Sequence, residues 1–272
     1  MCGITGVYFF KDNKNVNLSS IKEMTTNLSH RGPDSFGYWS SEVNNVYFGH
    51  RRLSILDLST HGDQPMNSSC GRYVITFNGE IYNFIELQND LKKKFDIKFK
   101  NKTDTIVLLE LISKLGLKKA LEMIEGMFAF GLWDKKEKKL FLVRDRFGEK
   151  PLFFYKNSNF VVFSSELKSL SKFPLVCLNI SRKSSYYYSM LGYVPAPLCI
   201  YENTFKVMPS QIIPAHLNKD SYLDLIIPCT GYDAPPFPGE KSLVLLSDGS
   251  NNYNVSHLSK RIGYYHDAAT AD

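Results

Sequence analysis

Met1-Cys2-Gly3-Ile4-Thr5-Gly6-Val7-Tyr8-Phe9-Phe10 opens the chain, and two features of this stretch decide how the rest is read. From Gly3 to Phe10 it is an apolar run carrying two glycines, which predicts a buried first strand. Directly before it, a cysteine follows the initiator methionine. If Met1 is removed, Cys2 carries both a thiol and a free α-amine. Such an amine titrates near ~7.7–8.0 in model peptides, so part of it is unprotonated at neutral pH. It can then act as base for its own side chain, directly or through one water, with no separate histidine. The alternative is a buried thiol without a role. The opening has no basic n-region, and no signal peptide is read there.

Working outward, Ile21, Met24 and Leu28 recur at helical spacing, with Ser19 or Ser20 as N-cap. His30-Arg31-Gly32-Pro33-Asp34 is a turn-rich break. Strand-like runs follow at 46–48, 52–56 and 73–77. Helices are predicted from Asn83 and from Thr103-Asp104. Short strands come next at 128–133, 140–143, 152–155 and 160–164, the first two joined by a polar hairpin loop. Many antiparallel strands with grouped helices point to α+β layers rather than alternating βαβ units. Beyond Tyr222, Pro228, Pro235, Pro236, Pro238, Gly231 and Gly239 crowd together as a linker. A strand-like run at 243–246 follows, and the remaining tail is too short for a second domain.

The 272 residues are 43% hydrophobic and 22% charged, which excludes a disordered or collagen-like chain. No stretch approaches the ~20 apolar residues that a bilayer span requires, so no membrane partner is expected. The net charge of +6 comes with mixed signs and short lysine runs at 92–94 and 135–139, which read as solvated helix ends or turns. No nucleic-acid signature accompanies them. The five cysteines, Cys2, Cys70, Cys177, Cys199 and Cys229, are odd in number and lack C-x-x-C spacing. No metal site and no disulfide framework is expected, and a reducing cytoplasm is the simplest location.

Three further positions carry chemistry. Asn78-Gly79 follows an apolar strand, where a side-chain amide and an exposed backbone N–H can sit together as the two donors a tetrahedral oxyanion needs. The same dipeptide is also a common turn. Arg52 offers a guanidinium for bidentate grip of a carboxylate, or an ordinary salt bridge. Asp104, at a helix start, either caps the helix or meets a ligand ammonium.

Six segments occur in this order: Met1–Val7, His30–Asp34, Arg52-Leu53-Ser54-Ile55-Leu56-Asp57, Asn78-Gly79-Glu80-Ile81-Tyr82-Asn83, Glu125–Phe130 and Arg144–Leu152. Together they resemble the N-terminal class II glutamine amidotransferase domain of glutamine-hydrolysing asparagine synthetases, over residues 2–223. The resemblance implies a four-layer αββα sandwich of two antiparallel sheets, of the N-terminal-nucleophile hydrolase type. It implies Cys2 as nucleophile toward the glutamine amide and Asn78 and Gly79 as the oxyanion hole. Arg52 would hold the α-carboxylate and Glu80 and Asp104 the α-ammonium, with the backbone of Ile55 and Leu56 lining the pocket. The product would be glutamate and ammonia through a thioester on Cys2. His30–Asp34 and Arg144–Pro151 are expected to serve in ion pairing or domain contacts.

Glutamine hydrolysis calls for no cofactor. The full-length family adds an ATP- and Mg-dependent synthetase domain that amidates aspartate, opening with a Ser-Gly-Gly-x-Asp-Ser loop. Here Ser247-Asp248-Gly249-Ser250-Asn251-Asn252 departs from it: Asp248 replaces the first glycine, and Asn251-Asn252 stands for the Asp-Ser pair. Residues 224–272 are therefore expected to be a linker and a truncated or aberrant remnant, with the ATP site incomplete. A homodimer or a separate synthetase subunit remains open as partner. Two alternatives stand beside this reading: the glutaminase domain of an amidotransferase making glucosamine phosphate or phosphoribosylamine, and a catalytically idle or regulatory glutamine-binding remnant.

Overall fold

The computed structural model describes residues 1–10, 18–41, 45–54, 62–97, 99 and 103–210, together with strands at 212–214, 225–227, 243–247 and 253–257. The opening run forms β1 (Gly3–Phe9), buried along its whole length. It lies in a six-stranded antiparallel sheet with β2 (Ser35–Ser40), β3 (Val46–Arg52), β8 (Phe153–Lys156), β9 (Phe160–Ser164) and β10 (Thr204–Lys206), in the order β10-β8-β9-β1-β3-β2. A second antiparallel sheet holds β4 (Met66–Asn67), β5 (Tyr73–Ile81), β6 (Gly126–Asp134), β7 (Lys139–Arg144) and β11 (Ile212–Pro214), in the order β11-β7-β6-β5-β4. A smaller sheet is built from β12 (Leu225–Ile227), β13 (Leu243–Ser247) and β14 (Tyr253–His257).

Alternation along the strands explains how these sheets stack, because successive side chains of a strand point to opposite faces. Ile4, Tyr8, Val46, Phe48, Val74, Ala129, Trp133 and Phe163 form one buried cluster, drawing on both large sheets. This is the layer between them. Val7, Phe9 and Tyr47, one residue out of phase, pack instead with Ile21 and Met24 of α1 (Leu18–Thr26) and Leu170 of α5 (Leu167–Leu170). On the far side, Ile75, Phe77 and Phe130 pack with α2 (Phe84–Phe95), α3 (Asp104–Leu115) and α4 (Leu117–Met123). The result is helices, sheet, sheet, helices: the αββα sandwich expected. Each fully buried Val, Ile, Leu or Phe contributes roughly 1.5–3 kcal/mol.

Four local expectations need correction. Ser19 and Ser20 lie inside α1 rather than capping it. The runs at 46–48 and the start of 52–56 are one strand: β3 continues through Gly49-His50 and ends at Arg52, paired with Gly3–Tyr8 of β1 on one side and β2 on the other. The turn alternative for Asn78-Gly79 does not hold, since both lie within β5, paired with Ala129 and Phe128. Gly79 is needed there because a Cβ would come within 2.6 Å of the Phe128 Cα. At the start of α3 the cap is Thr103, whose Oγ1 accepts from the Ile106 N–H at 3.4 Å; Asp104 is the first helical residue. Helices α4, α5 and α6 (Arg182–Leu191) and strand β2 carried no clear periodic signal in the sequence.

Candidate active site

The inward faces of three strands end at one cleft. On β3 the inward set is Val46, Phe48, His50 and Arg52; on β5 it is Val74, Thr76, Asn78 and Glu80; ahead of β1, Cys2 continues the Ile4, Gly6, Tyr8 series. Where the apolar filling stops, Cys2, Arg52, Asn78, Gly79, Glu80 and Asp104 line a single cleft of about 160 Å³, along with Met1, Gln64 and Lys150. The structure thus brings together six of the eight positions singled out from sequence. The other two, Ile55 and Leu56, lie outside the described residues.

Cys2 is half-buried, and its Sγ accepts from the Leu53 backbone N–H at 3.4 Å. Burial pushes its thiol pKa up, while the Leu53 N–H, the chain's N-terminal charge and Arg52 pull it back. The resting group is therefore a thiol, and it needs a proton acceptor before it can attack. Among the described residues no histidine reaches Cys2: His30 Nε2 pairs with Glu166 Oε1 at 2.9 Å, and His50 Nε2 lies 3.1 Å from the Phe77 carbonyl.

Asn78 is 1% exposed, yet among the described residues its Nδ2 has no hydrogen-bond partner. A buried amide donor left unsatisfied is costly by about 1–3 kcal/mol, which makes it an outlier that asks for a ligand. Arg52 is buried and its Nη1 donates to Asp63 Oδ1 at 3.0 Å. Asp104 accepts from the Ile81 N–H at 3.0 Å through Oδ2 and from the Thr105 N–H at 2.7 Å through Oδ1, and burial raises its pKa despite these bonds. The Glu80 carboxylate, half-buried at the cleft, makes no hydrogen bond or ion pair among the described residues. The cleft therefore presents one guanidinium, the Lys150 ammonium, two carboxylates, a thiol and a spare amide donor.

Sequence reasoning missed part of the supporting shell. Arg31, expected to form ion pairs, does so with Glu166 at 3.0 Å, but its Nε also donates to the Cys2 carbonyl at 3.0 Å and ties Cys2 to the neighbouring loop. Gln64 accepts from the Phe77 N–H at 2.6 Å and donates to Thr105 Oγ1 at 3.5 Å, fixing the strand just before Asn78. Neither Glu166 nor Gln64 stands in a local pattern that marks it. Cys2, Cys70, Cys177 and Cys199 are unpaired thiols, and burial pushes Cys199 up to about 12. Among the described residues no group of three or more His, Cys, Asp or Glu side chains could hold a metal ion, and no helix is long and apolar enough to cross a membrane. Ser247 closes β13, while residues 248–252 of the departed ATP-loop pattern, and the proline-rich linker, lie outside the described residues.

The fold is two face-packed antiparallel sheets between helices, with a cysteine at the head of a central strand. A solved structure of glutamine phosphoribosylpyrophosphate amidotransferase from Bacillus subtilis, complexed with ADP and GMP, overlays with a TM-score of 0.57 at 16% identity, covering 96% of this chain and 50% of that one. The family described as glutamine amidotransferase domain matches residues 1–223, and the chain belongs to that family. Relatives that it resembles carry the name asparagine synthetase. A putative glutamine-hydrolysing asparagine synthetase 2 of Methanocaldococcus jannaschii is 38% identical over 237 residues, covering 80% of this chain and 45% of the relative. The glutamine-hydrolysing asparagine synthetase 1 of Bacillus subtilis is 38% identical over 220 residues, covering 78% and 33%. The chain thus spans less than half the length of these relatives.

Proposed function

We propose that residues 2–223 form a domain hydrolysing glutamine to glutamate and ammonia, with Cys2 at the head of the processed chain as nucleophile. The observation that carries this reading is the unpartnered Asn78 Nδ2, buried in the same cleft as Cys2. Glutamine would bind with its α-carboxylate on Arg52 and its α-ammonium between Glu80 and Asp104. Cys2 passes its thiol proton to its own α-amine, and the sulfur adds to the side-chain carbonyl carbon. The oxyanion so formed accepts from Asn78 Nδ2 and the Gly79 N–H. The C–N bond then breaks, the α-ammonium returns its proton to the leaving nitrogen, and ammonia departs from a γ-glutamyl thioester. Water, deprotonated by the same amine, adds to the thioester. The C–S bond breaks, and the proton returns to sulfur. Each proton is carried by Cys2 itself, so the sequence of steps balances without a cofactor.

The relatives' names support a further step in which the ammonia amidates an acceptor. In this reading aspartate is the acceptor, and the synthetase module lies beyond residue 223 or on a separate subunit. Ammonia release from glutamine by protein shown by intact mass to begin at Cys2 tests the hydrolytic half. Cys2→Ala should abolish it, and equal rates would refute the reading. Protein retaining Met1 should bind glutamine weakly and turn it over little, because Met1 itself lines the cleft.

A further inference from the structure

The segment from Arg144 to Pro151, expected from sequence to serve in ion pairing or domain contacts, delivers a charged side chain into the cleft. Its loop is closed from within. Asp145, 1% exposed, accepts four backbone N–H groups: Phe147 and Glu149 on Oδ1, Phe128 and Lys150 on Oδ2, at 3.0–3.2 Å. Arg144 donates to the carbonyls of Lys150 at 2.7 Å and Val207 at 2.8 Å, and to that of Gly148. Because Phe128 pairs with Gly79 across β6 and β5, this loop is docked against the strand that carries Asn78. Its last residue, Lys150, is 7% exposed and lines the cleft.

What Lys150 meets there is unusual. Its Nζ lies 3.5 Å from the Met1 Sδ, and among the described residues no carboxylate stands within ion-pair distance. A thioether is a weak acceptor. A largely buried ammonium without a counter-ion is expensive to keep. From the other side Arg31 Nη2 approaches the same sulfur at 3.9 Å, while Arg31 Nε holds the Cys2 carbonyl. The Met1 side chain thus occupies a gap between two cations next to Cys2. Among the described residues the other charges lining the cleft are Arg52, paired with Asp63, and the carboxylates Asp104 and Glu80; Arg31 is paired with Glu166. Lys150 is the cation of this set without an acidic partner among the described residues.

We propose that Lys150 is a positioning residue that acts through Cys2: with Met1 gone, its unneutralised ammonium keeps the Cys2 α-amine in its base form and draws the thiol toward thiolate. A nearby cation disfavours protonation of both groups, so both effects lower the pH at which the nucleophile becomes competent. Lys150 touches neither glutamine nor the oxyanion in this role.

The proposal rests on the N-terminal-nucleophile reading, and the test separates the two. Protein confirmed by intact mass to begin at Cys2 is assayed for kcat/KM of glutamine hydrolysis from about pH 5.5 to about 9, as wild type, Lys150→Met, Lys150→Gln and Lys150→Arg. The acid limb should move up by about one pH unit in the Met and Gln variants and return in Lys150→Arg. Rates should converge above the limb. The pH dependence of Cys2 alkylation by iodoacetamide should move in parallel without any turnover. If Lys150→Met fails to fold, Lys150→Gln and the alkylation profile carry the comparison. A uniform fall in rate with the limb in place would overturn the proposal, as would a shift that persists in Lys150→Arg. If Cys2→Ala hydrolyses glutamine as fast as wild type, the nucleophile reading falls; if Cys2→Ala is inert and the limb does not move, only the role of Lys150 falls.

Discussion

His50 sits in the layer between the two sheets, fully buried, with Nε2 against the Phe77 carbonyl and Nδ1 without a partner. Burial, first, and then the charge of Arg52 push its pKa down from 6.5 to about 4, against the opposing pull of the Phe77 carbonyl and Asp63. The unfolded chain therefore binds a proton at His50 between about pH 6.5 and 4 that the folded chain refuses, and stability must rise with pH across that window. A gap of about 2.5 pH at ~1.36 kcal/mol per pH gives about 3 kcal/mol, fully present above pH ~6.5 and lost as pH falls to ~4. Urea denaturation of wild type and His50→Gln at steps between about pH 7.5 and 4 reads this directly. Glutamine keeps an N–H for the Phe77 carbonyl but does not titrate. The variant can be less stable at every pH; what matters is the slope. Subtracting the two curves cancels other acid-labile contacts, such as Glu166, whose pKa is lowered by His30 and Arg31. The wild type should lose about 3 kcal/mol more than the variant over the window. Parallel curves would refute the assignment of a buried neutral imidazole between the sheets.

Two substitutions in the cleft are expected to separate binding from chemistry. Asn78→Ala should lower kcat for glutamine hydrolysis by about 10²–10³ with KM little changed, since the donor acts on charge that develops only in the transition state; steady-state kinetics decides, and a pure KM effect would contradict the oxyanion role. Arg52→Lys should do the reverse, raising KM for glutamine roughly tenfold or more while kcat is largely kept, because an ammonium cannot grip a carboxylate bidentately; the same kinetics, with glutamate inhibition as a second readout, checks it.

The strand-like runs at 3–9, 73–77, 128–133 and 160–164 were legible because a short apolar run is written in adjacent residues. So was the amidotransferase resemblance, carried by short contiguous segments. The limits were equally physical. Asn78-Gly79 has the composition of a turn, and only its pairing with Ala129 and Phe128, about fifty residues away, holds it extended. His30–Asp34 and Arg144–Pro151 read as structural turns, and in part they are. Arg31 and Lys150 nevertheless reach the Cys2 environment, because Glu166 anchors one and the Asp145 carboxylate closes the loop beneath the other.

By itself, then, the sequence determined that antiparallel strands and grouped helices build α+β layers, where several of the strands lie, and which side chains carry reactive or charged groups. Those are properties of near neighbours in the chain. Only the tertiary structure decided that Cys2, Arg52, Asn78, Asp104 and Lys150 share one cleft, and that, among the described residues, the Asn78 Nδ2 has no partner and Lys150 meets Met1 Sδ with no acid within ion-pair distance. The reason is that proximity between strands, and the desolvation that makes an unpaired donor or charge matter, arise only when distant segments pack and exclude water.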